Sequence, residues 1–248
     1  MMGKTYRYCR IDRRGCIHCG CRDFRQETVI DDPLAAAWEL SGRERLWLDQ
    51  REGNHCHNCG MSKRVRMLLW TIRRRCPPGQ ELQILHLNRT NALAPALENL
   101  GSVTETVHRP DRPLGSQIDG RFNEDMTRLT FEDGRFDLAV HSETLEHLLE
   151  YDRALDEVQR VLRPGGIQVY TIPLLVSRAT RQRMTRDASG RLVSRLPPSF
   201  HGCDGEFPVI WEFGGDYLRQ RRGRIREIHF DNFWRNRTVF ALIEGKEG

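Results

Sequence analysis

Residues 136–173 read FDLAVHSETLEHLLEYDRALDEVQRVLRPGGIQVYTIP. Phe136, Leu138, Ala139 and Val140 form a short apolar run suited to a strand in the middle of a parallel sheet, and it gives way abruptly to His141, Ser142, Glu143 and Thr144. Ligands of open α/β sheets bind outside the carboxyl ends of the strands, so this polar cluster marks a ligand-facing end. Over 152–162, Ala154, Leu155, Val158, Val161 and Leu162 recur at helical spacing, which predicts a helix with one face against the sheet. Pro164-Gly165-Gly166 then stops the helix and turns the chain into a second strand at 167–172. The stretch is one βαβ unit.

The order of these words resembles a family. FDLAVHSETLEH followed by ALDEVQRVLRPGG is similar to the signature of class I S-adenosylmethionine (SAM) dependent methyltransferases of the type 11 branch, in which a strand FDlv is followed by LEH and by a helix ending RVLkPGG. The resemblance implies an α/β fold: a Rossmann-like, seven-stranded sheet with helices on both faces and an antiparallel last strand. It also implies methyl transfer from SAM.

The rest of the chain threads onto that expectation. Residues 82–87 read as the first strand, 92–100 as the first helix and 102–107 as the second strand, while 225–230 and 238–244 suit the last two. Asn123-Glu124-Asp125-Met126 stands before Leu129, Phe131 and the Asp133-Gly134 turn, where the family carries an acidic residue. By resemblance Asp125 accepts from the adenine amino group and the Met126 backbone meets the ring. The cofactor-binding set so implied is His86, Asn88, Asp125, Met126, His141 and Ser142. One departure matters: the family's glycine-rich turn after the first strand reads LHLNRTNALAPAL here, with no glycine. Two readings stay open. Asn88 and Asn91 tolerate the left-handed backbone that glycine would supply, and the "LHfAPE" turn of some zinc-ribbon-bearing relatives also lacks glycine; alternatively Asn88-Arg89-Thr90 blocks the site and the protein is a noncatalytic binding module.

The amino-terminal third points to a metal. Cys16-Ile17-His18-Cys19-Gly20 and Cys56-His57-Asn58-Cys59-Gly60 are two C-x-x-C-G knuckles, and four thiolates so paired suit a structural, tetrahedral Zn2+. The glycine after each second cysteine permits the tight turn that aims backbone N–H groups at sulfur. The gap between the knuckles predicts an enclosed elaboration with a helix at 35–48. Cys9 and Cys21 are alternative ligands, while His18, His55 and His57 are nearby donors that read also as solvated loop side chains. Cys76 and Cys203 stand apart as thiols without a neighbouring base.

The 248 residues accommodate a zinc-ribbon-like segment with a linker helix (1–75, the helix at 64–75) and a methyltransferase domain (76–248), divided at Cys76-Pro77-Pro78-Gly79. Within the second, 178–208 is long and arginine-rich, is interrupted by Ser189-Gly190, and is expected to be a lid or insertion. No apolar run reaches the ~18 residues that span a membrane, and no secretory signal precedes the cysteines, so a cytoplasmic location is expected. The formal charge of +5 becomes +3 when four thiolates hold one divalent ion, since +5 − 4 + 2 = +3. Arg73-Arg74-Arg75 and the arginines of 219–226 read as solvated faces, without the interleaved aromatics of a single-strand binder. The expected acceptor is therefore an unidentified small molecule. The RNA alternative rests on the amino-terminal zinc fingers of some rRNA methyltransferases.

For the chemistry, His141 and Glu143 at the strand end, and His147 a turn later, are the positioning or proton-accepting candidates. Glu146 and His147 belong as readily to helix capping or packing. Pro197-Pro198-Ser199-Phe200-His201-Gly202 with Trp211-Glu212-Phe213-Gly214-Gly215-Asp216 resembles elements of the same branch, which makes His201 an acceptor-side candidate and leaves Trp211 and Phe213 to pack the lid.

Overall fold

The computed structural model describes residues 5–9, 14–77, 79–90, 92–201, 207–221, 224–233 and 236–246. Asn91, Cys203 and the side chains of Cys9 and His201 lie outside the described residues.

The amino-terminal part carries β1 (Thr5–Cys9), β2 (Phe24–Gln26), α1 (Asp32–Ala37), α2 (Gly42–Glu52), β3 (Asn54–Cys56) and α3 (Lys63–Arg75). There follow β4 (Leu82–His86), α4 (Ala94–Glu98), β5 (Gly101–Val107), β6 (Gln117–Ile118), β7 (Arg121–Asn123), β8 (Phe136–Ser142), a 3-10 turn (Leu145–His147), α5 (Tyr151–Val161) and β9 (Leu162–Thr171). Seven short strands come next: β10 (Leu174–Leu175), β11 (Arg181–Gln182), β12 (Met184–Arg186), β13 (Leu192–Ser194), β14 (Phe200–His201), β15 (Phe207–Pro208) and β16 (Trp211–Gly214). The chain closes with α6 (Tyr217–Gln220), β17 (Ile225–Phe233) and β18 (Asn236–Gly245).

The central sheet runs β1-β17-β18-β9-β8-β4-β5-β7-β6. Counting β4, β5, β7, β8, β9, β17 and β18 as strands one to seven gives the order 3-2-1-4-5-7-6. The seventh, β18, is antiparallel to both neighbours. The sheet has nine strands where seven were expected, because β1 adds itself parallel to β17 at one edge and β6 folds back on β7 at the other. Strand order reverses between β4 and β8, which creates the switch-point crevice at their carboxyl ends.

Strand alternation sends neighbouring residues to opposite faces. Ile84, Leu138, Val140, Val169 and Ile243 pack against Val65, Leu68, Leu69 and Ile72 of α3 and against Ala96 and Leu97 of α4. Leu85, Ala139, Tyr170 and Leu242 pack on the other side, against Ala154, Leu155, Val158 and Val161 of α5. Helices thus cover both faces. The helix expected at 64–75 is α3, capped by Ser62, whose Oγ accepts from the Val65 N–H at 3.3 Å.

The single helix expected at 35–48 is two. Glu39 takes a left-handed φ of 52°, and Ser41 with Glu44 forms a complete capping box that starts α2 afresh. The helix expected at 92–100 contracts to α4, with Pro95 in its first turn. In the 178–208 region a β12–β13 hairpin turns at Gly190, whose φ is +84°.

Candidate functional site

A cavity of about 780 Å³ opens at the carboxyl ends of β4, β5 and β8. Its polar side is made by Asn88, Arg89 and Thr90 after β4, by Thr106 to Arg109 at and after β5, by Glu124 to Met126, and by Ser142 to Thr144 after β8. Its other side is apolar, with Ile30, Leu34, Trp38, Leu40 and Leu48 from the amino-terminal segment and Leu148, Pro173 and Phe207 from later in the chain.

The glycine-free turn does what a glycine would. Asn88 sits at φ +52°, the left-handed region that asparagine tolerates better than branched residues. Its backbone N–H donates to Thr106 Oγ1 at 3.4 Å and its amide donates to Thr144 Oγ1 at 3.3 Å, so the turn is tied to the next two strand ends. His86 is buried and stays off the cavity wall. Its Nε2 accepts from the Thr90 N–H at 3.1 Å, and burial, with Arg89 nearby, pulls its pKa down to about 4. His86 is a neutral brace for the turn.

Across the cavity, Asp125 Oδ1 accepts from the Thr127 N–H at 2.8 Å and from Thr127 Oγ1 at 2.7 Å. Partial burial works against the charged form, but these bonds outweigh it and keep the carboxyl below its usual range. Met126, nearly buried, lines the same wall.

At the end of β8 alternation turns His141 and Ser142 to opposite faces, and Glu143 follows beyond the strand. His141 shares the face of Ala139 and is 0% exposed, its ring stacked on Tyr170 at 4.8 Å between centroids. It does not reach the cavity, and burial pulls its pKa down to about 3. This corrects its expected position: the period of two turns residue 141 toward α5. Ser142 and Glu143 do line the cavity. Ser142 Oγ bonds Thr171 Oγ1 at 2.7 Å and also accepts from Arg64 of α3.

Glu143 stands at φ +50°, uncommon for a residue with a side chain. Arg51, from the end of α2 and only 1% exposed, holds its carboxylate through both oxygens at 2.9 and 2.7 Å and donates to the Ile172 carbonyl at 2.9 Å. Thr171 Oγ1 adds a donor at 2.9 Å. Burial works to raise the Glu143 pKa, yet the Arg51 charge and these hydrogen bonds win and hold it down at about 2. Glu52 pairs with Arg51 at 2.8 Å and with Arg64 at 2.8 Å, so two guanidinium groups and two carboxylates close a neutral network under the cavity.

Glu146 and His147 follow in the 3-10 turn. Glu146 is fully buried, and among the described residues neither carboxyl oxygen has a hydrogen-bond partner, His147 Nε2 lying 3.8 Å from Oε1. Burial first, and then the Glu143 charge, push its pKa well above the usual carboxylate range. His147 lines the cavity; its Nδ1 lies 2.9 Å from the Pro208 carbonyl, so the neutral ring carries its proton on Nδ1, with Nε2 toward Glu146 Oε1. Burial lowers its pKa. Trp211 and Phe213, expected as packing residues, lie edge-on to Tyr151 at 5.3 and 5.1 Å between ring centroids.

The four knuckle cysteines converge. All Sγ atoms of Cys16, Cys19, Cys56 and Cys59 lie within 4.8 Å of one another, with Cys16–Cys59 at 3.6 Å and Cys19–Cys56 at 3.5 Å. A tetrahedral ion with Zn–S bonds of about 2.3 Å sets sulfurs about 3.8 Å apart, so the donor set fits. Gly20 and Gly60 take φ of +73° and +72°, and their N–H groups close the turns onto the Cys16 and Cys56 carbonyls at 2.8 and 3.0 Å. Cys21 stays outside the cluster, its Sγ accepting from the Asp23 N–H at 3.4 Å.

Residues 93–170 match the family model described as a methyltransferase domain. Among solved structures, the chain is similar to a SAM-dependent methyltransferase from Mesorhizobium loti, at 22% identity over 73% of this chain and 98% of that one, with a TM-score of 0.44. It is similar to Burkholderia thailandensis 1,6-didemethyltoxoflavin-N1-methyltransferase, solved with 1,6-didemethyltoxoflavin and S-adenosylhomocysteine, at 18% identity over 88% and 86% of the two chains, with a TM-score of 0.46. It also resembles the [4+2]-cyclase SpnF at 25% identity, but over only 42% of this chain and 44% of that one, with a TM-score of 0.33. No curated protein sequence matches. The domain match and the 3-2-1-4-5-7-6 strand order agree on an α/β methyltransferase fold. Among the described residues no helix is long and apolar enough to cross a membrane.

The sequence did not reveal Arg51, Arg64 or the apolar wall as parts of this site. Arg51 lies 92 residues from Glu143, and no local pattern announces that pair.

Proposed function

We propose that the protein is a SAM-dependent methyltransferase acting on a small molecule, with a structural Zn2+ held by Cys16, Cys19, Cys56 and Cys59. The observation that carries the reading is the cavity at the switch point, where the left-handed Asn88 turn and the Asp125–Met126 wall belong to one polar surface. Asn88, Asp125, Met126 and Ser142 would hold SAM, which supplies a methyl group on a positively charged sulfur. His86 supports the turn behind Asn88, and His141 packs behind the strand end.

The protein's own contribution is to hold the acceptor in line and exclude water, with a base only where the acceptor must lose a proton. Glu143 suits that base poorly, because a carboxylate with a pKa near 2 holds a proton only weakly and its oxygens are taken by Arg51 and Thr171. It is better suited to fixing the strand end. His147, which lines the cavity with Nδ1 donating to the Pro208 carbonyl, is the better-placed candidate to accept the proton. His201 retains its proposed acceptor-side role on the sequence resemblance alone.

Calorimetric titration of metal-replete protein with SAM and S-adenosylhomocysteine tests the reading. Micromolar binding is expected. Asp125→Asn should keep the Thr127 bonds yet present an amide donor to the adenine amino group, weakening both ligands by about tenfold, the equivalent of one hydrogen bond. Absence of binding to either ligand would favour the noncatalytic module.

A further inference from the structure

The two ends of the cavity differ in chemistry, and the amino-terminal segment builds the apolar one. Ile30, Leu34, Trp38, Leu40 and Leu48 supply that wall, and Phe207, 46% exposed, faces the same space from the far end of the chain. We infer that this wall is the acceptor subsite and that the acceptor is an uncharged, largely apolar small molecule. The inference rests on the methyltransferase reading and deepens it.

The apolar wall is held in place rather than left by chance. Asp49 Oδ1 accepts from the Val29 and Ile30 N–H groups at 2.8 and 2.9 Å, fixing the strand of chain that enters α1. Trp38 Nε1 donates to the buried Ser199 Oγ at 2.8 Å, while Arg178 donates to the Trp38 carbonyl at 2.6 Å and clasps Glu44 of α2. A surface fixed before binding loses little conformational freedom when a ligand arrives. The volume, about 780 Å³, lies in the upper part of the ~300–1,000 Å³ range of small-molecule sites, so it suits a sizeable ligand or two adjoining ones.

Charge disfavours the other acceptor classes at this wall. Of the charged groups lining the cavity, Arg51, Arg64, Glu52 and Glu143 pair with one another and Arg89 pairs with Glu105, while Arg109, Glu124 and Asp125 belong to the polar side. A phosphate-bearing acceptor on the apolar wall would find the Arg51 and Arg64 guanidinium groups already matched by carboxylates, and burying a charge without a partner is strongly unfavourable. An RNA acceptor needs the opposite arrangement, a surplus of cations along a groove.

Nile red, a neutral dye whose emission reports an apolar environment, is the probe. It is titrated into the metal-replete full chain with and without saturating S-adenosylhomocysteine, using the parent, Leu34→Glu, Leu40→Glu and the control Leu192→Glu, which alters an exposed apolar residue on the β12–β13 hairpin. The expected result is one saturable dye site, retained in the presence of S-adenosylhomocysteine, weakened by about tenfold or more in the two wall variants and unchanged in the control. S-adenosylhomocysteine affinity should stay within about twofold in every variant, as a charge placed away from its subsite adds little. Circular dichroism checks folding, and Leu34→Ser replaces Leu34→Glu if the latter does not fold. The inference is overturned if the wall variants leave dye binding unchanged, or if S-adenosylhomocysteine or a short RNA displaces the dye. If calorimetry finds no S-adenosylhomocysteine binding while the dye still binds the wall, the methyltransferase reading fails, taking the acceptor assignment with it.

Discussion

Replacing Arg51 by Met removes a charge that is 1% exposed and leaves the Glu143 carboxylate in place behind it. The cost can be worked from Glu143. Its pKa falls from 4.5 to about 2 in the folded protein, and about 2.5 units at ~1.4 kcal/mol each give about 3 kcal/mol. Because the folded value is depressed, this stability is present above the unfolded pKa and is lost as pH falls through about 2. Breaking a buried pair by deleting one partner costs about 3–5 kcal/mol, so the two routes agree. Of a total stability of about 5–15 kcal/mol this is a large share. The assay is urea unfolding at pH 7 of metal-saturated protein, since acid titration would also protonate thiolates and release the ion. With a slope of about 3 kcal/mol/M, Arg51→Met should lower the midpoint by about 1 M. The more specific signature is a reversal of sign: Glu143→Gln should destabilise the parent but stabilise Arg51→Met, where it removes an uncompensated charge. A loss below about 1 kcal/mol in Arg51→Met, or additive effects of the two substitutions, would refute the reasoning.

At Asn88, substitution by Gly should leave S-adenosylhomocysteine affinity nearly unchanged, whereas Val, strained at a φ of +52° by about 1–2 kcal/mol, should weaken it by about tenfold; calorimetry decides. Glu146, neutral because its folded pKa is raised, favours the protein fully below its unfolded pKa of about 4.5 and progressively loses that advantage as pH rises toward the folded value. The stability of Glu146→Gln relative to the parent should therefore climb with pH by up to ~1.4 kcal/mol per unit above about pH 4, and a pH-independent difference would show that the group is ionised. Purified protein should carry one zinc per chain by elemental analysis, and Cys56→Ser should lower that content and the thermal midpoint together; a content insensitive to Cys56→Ser would remove the metal reading.

The sheet was legible because its signals are local. The apolar run at 136–140 and the helical spacing at 152–162 depend on neighbours in sequence, and β8 and α5 stand where those signals place them; β9 instead begins at Leu162, so Pro164-Gly165-Gly166 forms an irregularity within it, between the Phe136–Leu162 and Leu138–Ile167 pairs, rather than a turn ahead of it. Two features were readable but needed closer attention. Ser41-x-x-Glu44 is a capping box and announces the second start that divides the expected helix. The period of two, extended from Ala139, turns His141 toward the interior. The remaining features are long-range. β1 joins the sheet through β17, and Arg7 reaches Glu227 at 2.9 Å across 220 residues. Nothing near Arg51 distinguishes it from the other arginines of its segment, so the network beneath the cavity becomes visible only once α2 is placed against the end of β8.

That placement explains why a cysteine cluster and a buried cation serve the same segment. α1 buries no residue, and α2 buries only Leu48 and Arg51. Isolated helices of 6 and 11 residues are too short to persist in water, and the small cluster of Ile30, Trp38, Leu48, Leu175 and Val209 is a modest core. The segment is therefore fastened from outside: by the cysteines that flank it, by Arg178 on Glu44 and the Trp38 carbonyl, and by Arg51 on Glu143. The last fastening acts in both directions. It anchors α2, and it holds Glu143 in a left-handed conformation that costs about 1–2 kcal/mol when nothing opposes it. One guanidinium thus fixes both the apolar wall and the polar end of β8, so the two halves of the cavity keep their relative position through Arg51 rather than through the cysteine cluster alone.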